Sequence, residues 1–165
     1  MTAVMNGWRK NSAPAAPTSN GCAIKMEGAA SLKLKAEDAE DVAVIAALVQ
    51  DAIVQVGDMA LLPDQKFILL FSRFCWETGE KPPENIRRYS SLAFHHVKQA
   101  HYRGFERERG GDLLELLTLT VEGNDIYIVF AGDAVIKLTV GRIGVFLHDV
   151  GEPWPTLFKP CHEAV

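Results

Sequence analysis

From residue 53 to about residue 150, most apolar residues of this chain recur at every second position. Alternation with a period of two is typical of β-strands that bury one face. Short turn sequences, such as Gly123-Asn-Asp125 and Ala131-Gly-Asp133, separate the alternating runs and predict hairpins. Because no helical run follows to carry the chain back for parallel pairing, we predict an antiparallel sheet.

One segment before this alternation has the period of a helix. Its apolar positions are Val42, Ile45, Ala46, Val49 and Ala52. Four acidic residues lie between residues 37 and 41, where negative charge favours the positive end of a helix dipole, and Asp38 fits the N-cap. We predict a helix over about residues 38–51, whose acids have a structural role rather than a catalytic one.

The predicted fold class is α+β, with a single long helix packed on a strongly bent, mostly antiparallel sheet of six to seven strands that forms a partial barrel. Residues 66–76 are predicted to form a strand that is central or lies beneath the helix, and residues 89–102 to form one long strand. Residues 77–88 are predicted as a polar loop. Glu152-Pro-Trp-Pro155 should not continue a strand, because proline lacks the N–H that a ladder needs.

The chain divides at about residue 30. Residues 1–30 are rich in Ala, Pro, Ser, Asn and Gly, which predicts a disordered tail, and Met26 is a candidate for the true start. Residues 31–165 are predicted to form a single α+β domain. The whole chain of 165 residues is 48% hydrophobic and 23% charged, which is ordinary for a globular protein.

The cysteine pattern and the hydropathy bear on location. Cys22, Cys75 and Cys161 are odd in number and widely spaced, which does not favour a disulfide framework or a zinc site. No apolar run approaches the roughly 20 residues that a bilayer-spanning helix needs. We therefore expect a reduced, cytoplasmic protein with no membrane partner.

Catalytic motifs are missing from the sequence. It has no phosphate-binding glycine loop, no G-x-S-x-G elbow and no H-E-x-x-H, and the five histidines lack the spacing of a metal site. No cofactor or metal is expected. Arg73 stands out, because an arginine in an apolar strand needs a partner such as Glu77 or Asp58. It is either a structural salt bridge or an anion clamp.

The charge is unevenly distributed. The whole chain has a formal charge of -4, yet residues 81–109 hold seven basic residues against three acidic ones. This segment has aromatic residues between its charges, as an RNA-binding surface would. The basic patch that we would test consists of Arg87, Arg88, Lys98 and Arg103. A solvated face is the alternative reading.

Five stretches resemble an uncharacterised bacterial family, domain of unknown function 2948. They are Leu34–Asp41, Leu48–Met59, Arg73–Glu77, Phe130–Leu138 and Asp149–Trp154, followed by Pro160-Cys-His162. The resemblance covers about residues 32–163. It implies a small cytosolic bacterial protein without an assigned activity, and it directs attention to a polar cluster of Arg73, Asp51 or Asp58, and His162.

Three functional hypotheses follow. The first is a non-catalytic binding or adaptor module with a protein partner or a second copy of itself. The second is a small-ligand site or enzyme, in which Arg73 anchors an anion and Asp51, Asp58 or His162 acts as acid or base. The third is weak RNA binding through residues 81–109, although the overall negative charge makes a nucleic-acid partner unlikely.

Overall fold

The computed structural model describes residues 31–78 and 85–161. The predicted tail (residues 1–30), Met26, Lys81 and His162 lie outside the described residues. In chain order the elements are β1 (Lys33–Ala36), α1 (Ala39–Val49), β2 (Ile53–Leu62), β3 (Lys66–Phe74), a short 3-10 helix (Trp76–Thr78), β4 (Ile86–Phe94), β5 (Val97–Arg103), β6 (Leu113–Glu122), β7 (Asp125–Phe130), β8 (Val135–Val140) and β9 (Val145–Pro155).

The nine strands form one antiparallel sheet in the order β1-β9-β4-β3-β2-β6-β7-β8-β5. Strand β6 joins its two halves, because residues 113–115 pair with β2 and residues 116–122 pair with β7. We call β1, β9, β4, β3 and β2 the first half and the remaining strands the second half. The predicted α+β class and antiparallel pairing are confirmed, whereas the prediction of six to seven strands is wrong.

Both halves bury their inward side chains in a common core. Phe67, Leu92 and Leu147 from the first half belong to the same cluster as Ile128 and Leu138 from the second. The sheet therefore bends around one core, but it does not close, because β1 and β5 remain at its two ends. Helix α1 packs on this inner side, against β6, β1 and β3.

Helix α1 has 11 residues, so the prediction of a long helix is wrong. Its start is as expected: the Asp38 carboxylate accepts a hydrogen bond from the Asp41 amide at 2.8 Å and caps the first turn. Its last residue is Val49, because Gln50 leaves the helical conformation with a ψ of 137° and Asp51 follows with a positive φ of 62°. The Asp51 amide instead donates to the carbonyl of Leu116 at 2.8 Å.

The predicted long strand over residues 89–102 is two strands, β4 and β5, which lie far apart in the sheet. The chain turns at His95-His96, where His96 has a φ of 59°. Phe94 and Val97 are both buried although they are three positions apart. A continuous strand would place residues at an odd separation on opposite faces, so this change of parity marks the break.

Two segments expected to be irregular are partly strand. Strand β4 begins at Ile86, inside the predicted loop 77–88. Strand β9 runs to Pro155 and pairs Trp154 with Arg87, after an irregularity in the register near Gly151. Beyond residue 148, β9 has a pairing partner only in β4, so its prolines can face the unpaired side without breaking the ladder.

Candidate functional site

Arg73 lies at the centre of a buried ion network on the inner side of β3. Its guanidinium is fully buried and binds two carboxylates, each through two hydrogen bonds. The Nε and Nη2 groups donate to Oδ1 and Oδ2 of Asp149, both at 2.8 Å. The Nη1 and Nη2 groups donate to Glu77 at 2.9 and 2.6 Å. Such paired geometry gives strong, directional charge-assisted bonds.

Asp149 accepts from three further groups. The Ser90 hydroxyl donates to Oδ1 at 2.6 Å, and the Leu32 amide donates to Oδ2 at 2.9 Å. A third arginine–carboxylate contact comes from Arg88, whose Nη1 lies 3.5 Å from Oδ2. The network therefore ties β3, β4 and β9 to the segment that leads into β1.

The sheet register explains why an acidic residue lies at position 149. Arg73 and Arg88 are directly opposite each other on β3 and β4, and Ser90 is opposite Asp149 on the next pair of strands. Two like charges at opposed positions destabilise a sheet. The carboxylate of Asp149 contacts both arginines and offsets that repulsion.

The network changes the titration of its members in opposite directions. Burial works to raise the pKa of Asp149, but the hydrogen bonds from Arg73, Ser90 and the Leu32 amide outweigh it and lower the pKa to about 2. Burial works to lower the pKa of Arg73, but the hydrogen bonds to Asp149 and Glu77 raise it above its ordinary value. Both groups remain charged at neutral pH.

The prediction that Arg73 pairs with Glu77 is confirmed. Its second carboxylate partner is Asp149, and not Asp58, which was the alternative to Glu77. Asp58 is exposed at an irregularity of β2, where partial desolvation of its carboxyl raises its pKa. Asp51 is buried beyond the end of α1 and acts on Arg87, whose pKa is lowered by burial against the opposing effect of the Asp51 charge. The structure therefore does not place Asp51 or Asp58 among the residues that bind Arg73.

The candidate basic patch does not form one surface. Arg88 points inward to Asp149, whereas Arg87 points outward and donates to the carbonyl of Ser72 at 3.3 Å. Lys98 and Arg103 are exposed on β5, which forms the opposite end of the sheet from β1. The basic residues are neighbours in sequence, but the turn at His95-His96 sends them to different strands.

The first half has an outward side that no element covers within the described residues. We call this the outer face; its side chains are exposed or half-buried. The residues that define it are Lys33, Lys35, Phe146, His148, Val150, Tyr89, Ser91, Ala93, Ile68 and Leu70. Tyr89 is 59% exposed, although it stacks against Trp154 at a centroid distance of 4.7 Å.

A lysine and a histidine contact the ring of Phe146 on this face. The Lys35 ammonium lies 5.7 Å from the centroid of the Phe146 ring, and the His95 ring lies 4.6 Å from it. Burial lowers the pKa of His95, and the neighbouring charges of Lys66, His96 and Lys35 lower it further against an opposing contribution from Asp64. The lowered pKa favours the neutral imidazole of His95, so Lys35 is the cation next to the Phe146 ring.

A cleft of about 330 Å³ runs between β1 and β9 on the outer face. Its lining residues are Lys33, Leu34, Lys35, Phe146, Leu147 and His148, and they include no carboxylate. The nearest acidic contact is Glu37, which pairs with Lys35 at 2.7 Å. On the far side of the face Asp64 pairs with Lys66 at 2.9 Å.

A second cleft, of about 500 Å³, lies beside the loop that follows β5 and contains none of the predicted site residues. At its rim Arg109 pairs with Glu106 at 3.0 Å.

Among the described residues, no group of three or more His, Cys, Asp or Glu side chains is placed to hold a metal ion. No helix in those parts of the chain has the length and hydropathy needed to cross a membrane.

Sequence reasoning missed Asp149, Ser90 and the outer face. A signal for Asp149 was present, because it shares parity with the buried Val145 and Leu147 and so had to point inward. An acid at an inward position requires a cation, and Arg73 has the same parity as the buried Leu69 and Phe71. The outer face had no comparable signal, since it depends on which strands become neighbours.

Comparison with known proteins identifies a family but no function. A search of curated proteins and a search of solved structures each found no match. A family model described as "Protein of unknown function (DUF2948)" matches residues 32–162, which is most of the chain and nearly all of its described part. The chain therefore belongs to the family of domain of unknown function 2948.

Proposed function

We propose that this protein is a non-catalytic binding module that uses the outer face of its first half. The observation that supports the proposal is an uncovered sheet face that combines half-buried apolar and aromatic residues with lysines. Contiguous apolar surface of this kind is uncommon on a protein that has no partner. The face is broad and shallow, as expected of a surface that binds an extended ligand.

In this proposal the ion network around Arg73 has a structural role. Arg73 already makes four hydrogen bonds to Glu77 and Asp149, so it could clamp an external anion only after a carboxylate had moved away. The strength of paired arginine–carboxylate bonds opposes such an exchange. We also infer a reducing, cytosolic location, which is compatible with the free thiols of Cys75 and Cys161.

The test is chemical protection of a thiol placed on the outer face. In a C22S/C161S background, Val150→Cys places a thiol next to Tyr89, at a position that is 38% exposed in the native residue. Thr120→Cys provides the control, because Thr120 is exposed on β6 in the second half. We expect a concentrated extract of the source cells to slow alkylation at position 150 and not at position 120.

The same experiment can overturn the proposal. If the extract leaves the alkylation rate unchanged at position 150 as well as at position 120, the outer face has no ligand in that extract. Treating the extract with protease, with nuclease or by dialysis then assigns any protection to a protein, a nucleic acid or a small molecule. Protection therefore tests the binding face before its ligand is known.

A further inference from the structure

The chemistry of the cleft between β1 and β9 restricts what the outer face can bind. Lys33 and Lys35 project on the same side of β1, because they are two residues apart. The register places them directly opposite His148 and Phe146 on β9. Two ammonium groups thus flank an aromatic ring and an imidazole along one short groove.

This arrangement contrasts with the rest of the molecule. The chain has a formal charge of -4, yet the six residues that line the cleft include two lysines and no carboxylate. In the described part of β1, β9, β4 and β3, no outward residue that pairs in the sheet is acidic, and the exposed Glu152 lies on the unpaired stretch of β9. The acids Glu37 and Asp64 lie beyond the strand ends, each in a pair with a lysine.

A ligand that matches the cleft has a planar ring and a phosphate. Aromatic side chains stack on nucleobases, and lysines contact phosphates without regard to sequence. An open antiparallel sheet that presents rings and cations is suited to unpaired bases, because bases in a duplex are already stacked. The neighbouring exposed ring of Tyr89 offers room for more than one nucleotide.

We propose that the cleft between β1 and β9 binds nucleotides, with the extended chain of a single-stranded nucleic acid as the main source. This inference rests on the proposed function, because it assigns a ligand to the same face. Phe146 supplies the stacking ring and Lys33 contacts a phosphate, as does Lys35 once the phosphate replaces Glu37 in their exposed pair. The small number of cations leads to a weak complex, with a Kd on the order of 10 μM at low salt.

Fluorescence anisotropy with labelled single-stranded RNA of about ten nucleotides tests the proposal. We expect Phe146→Leu to weaken binding about tenfold, because it removes the ring and keeps an apolar side chain. The double variant Lys33→Gln/Lys35→Gln should reduce the magnitude of the slope of log K against log salt by about 1.4, since each phosphate contact contributes about 0.7 to that slope. Melting curves of the variants confirm that they remain folded.

Matched controls lie elsewhere on the chain. Lys98→Gln removes an exposed lysine of β5, and Phe158→Leu removes a ring that is 80% exposed beyond β9. Neither change should alter RNA affinity. If Phe146→Leu fails to fold, the lysine variant and its control still decide the matter.

Competition with free AMP or UMP distinguishes the two sources of nucleotide. Stronger binding of the oligonucleotide than of the mononucleotide supports a nucleic-acid chain, whereas equal binding supports a free nucleotide in the same cleft. Undetectable binding of all these probes at low salt, or full affinity in the lysine variant, would overturn the inference. If protection of Val150→Cys persists but only protease removes it, the nucleotide inference fails while the proposed binding function stands.

Discussion

The inward and outward sides of the first half differ in how they hold charge, although the same strands form both. Arg88 points inward to Asp149, whereas the adjacent Arg87 points outward. Asp149 is buried, whereas the adjacent His148 is exposed. On the inner side Arg73 and Asp149 form a fully buried ion pair, whereas on the outer face the cleft lysine Lys35 pairs with Glu37 only in an exposed position.

This difference separates stability from binding. A buried charge has a high desolvation cost, so the inner side tolerates arginine only with well-placed carboxylates. An exposed lysine has little desolvation cost and can keep its charge for a ligand. We therefore expect inner-side substitutions to change the free energy of unfolding and outer-face substitutions to change affinity.

The largest effect is expected from Asp149→Ala. This change leaves Arg73 and Arg88 opposite each other in a buried environment with fewer negative charges. Removing one partner of a buried ion pair costs about 3–5 kcal/mol, and urea unfolding measures it. His148→Ala, one residue away on the outer face, should change the free energy of unfolding by less than about 0.5 kcal/mol. Equal effects would contradict the comparison.

Acid should weaken the inner side through the same carboxylate. The pKa of Asp149 falls from its ordinary 3.8 to about 2 on folding, so its contribution to stability, roughly 2.5 kcal/mol, is nearly complete above about pH 5. It is lost as the pH falls through the folded-state pKa, and roughly 2 kcal/mol of it is lost between about pH 5 and pH 2. Urea unfolding between pH 5 and pH 2 should show this loss in the wild type and not in Asp149→Asn. A retained loss in that variant would assign the acid sensitivity to other groups.

A smaller effect is expected from the neighbouring serines of β4. Ser90 is buried and donates to Asp149 at 2.6 Å, whereas the Ser91 hydroxyl has only a long contact of 3.5 Å with the carbonyl of His148. Ser90→Ala should lower the free energy of unfolding by about 1.5 kcal/mol, because a hydrogen bond to a charged group is lost. Ser91→Ala should have almost no effect. The reverse order would show that the inward and outward assignments are wrong.

The smallest effect on stability is expected on the outer face itself. The double variant Lys33→Gln/Lys35→Gln removes the exposed pair between Lys35 and Glu37 and the contact of the Lys35 ammonium with the Phe146 ring. Exposed ion pairs contribute little, so the Tm should change by less than about 3 °C in differential scanning calorimetry. A larger drop would mean that these lysines stabilise the edge strand rather than serve a ligand.

Much of the local structure could be predicted from the residues. The Asp38 cap, the hairpin at Gly123-Asn-Asp125 and the need of Arg73 for a carboxylate all depend on near neighbours. The break at His95-His96 was missed because alternation continues on both sides of the turn, and only the odd spacing of Phe94 and Val97 reveals it. This wrong prediction concerns the end of one strand and the start of the next, where the apolar pattern is ambiguous.

The candidate site was less predictable, because its members are distant in sequence. Arg73 and Asp149 are 76 residues apart, and only the pairing of β4 with both β3 and β9 brings them into contact. Lys35 and Phe146 meet because the edge strand β1 pairs with β9. No local pattern encodes either meeting.

The sequence by itself determined an antiparallel α+β protein, the alternation of faces within a strand and the charge that Arg73 must meet. The tertiary structure alone decided that Asp149 meets it, that the basic residues 87–103 separate, and that lysines and rings gather on the outer face. The reason is physical: alternation depends on adjacent residues, whereas strand order results from burying both halves of the sheet in one core.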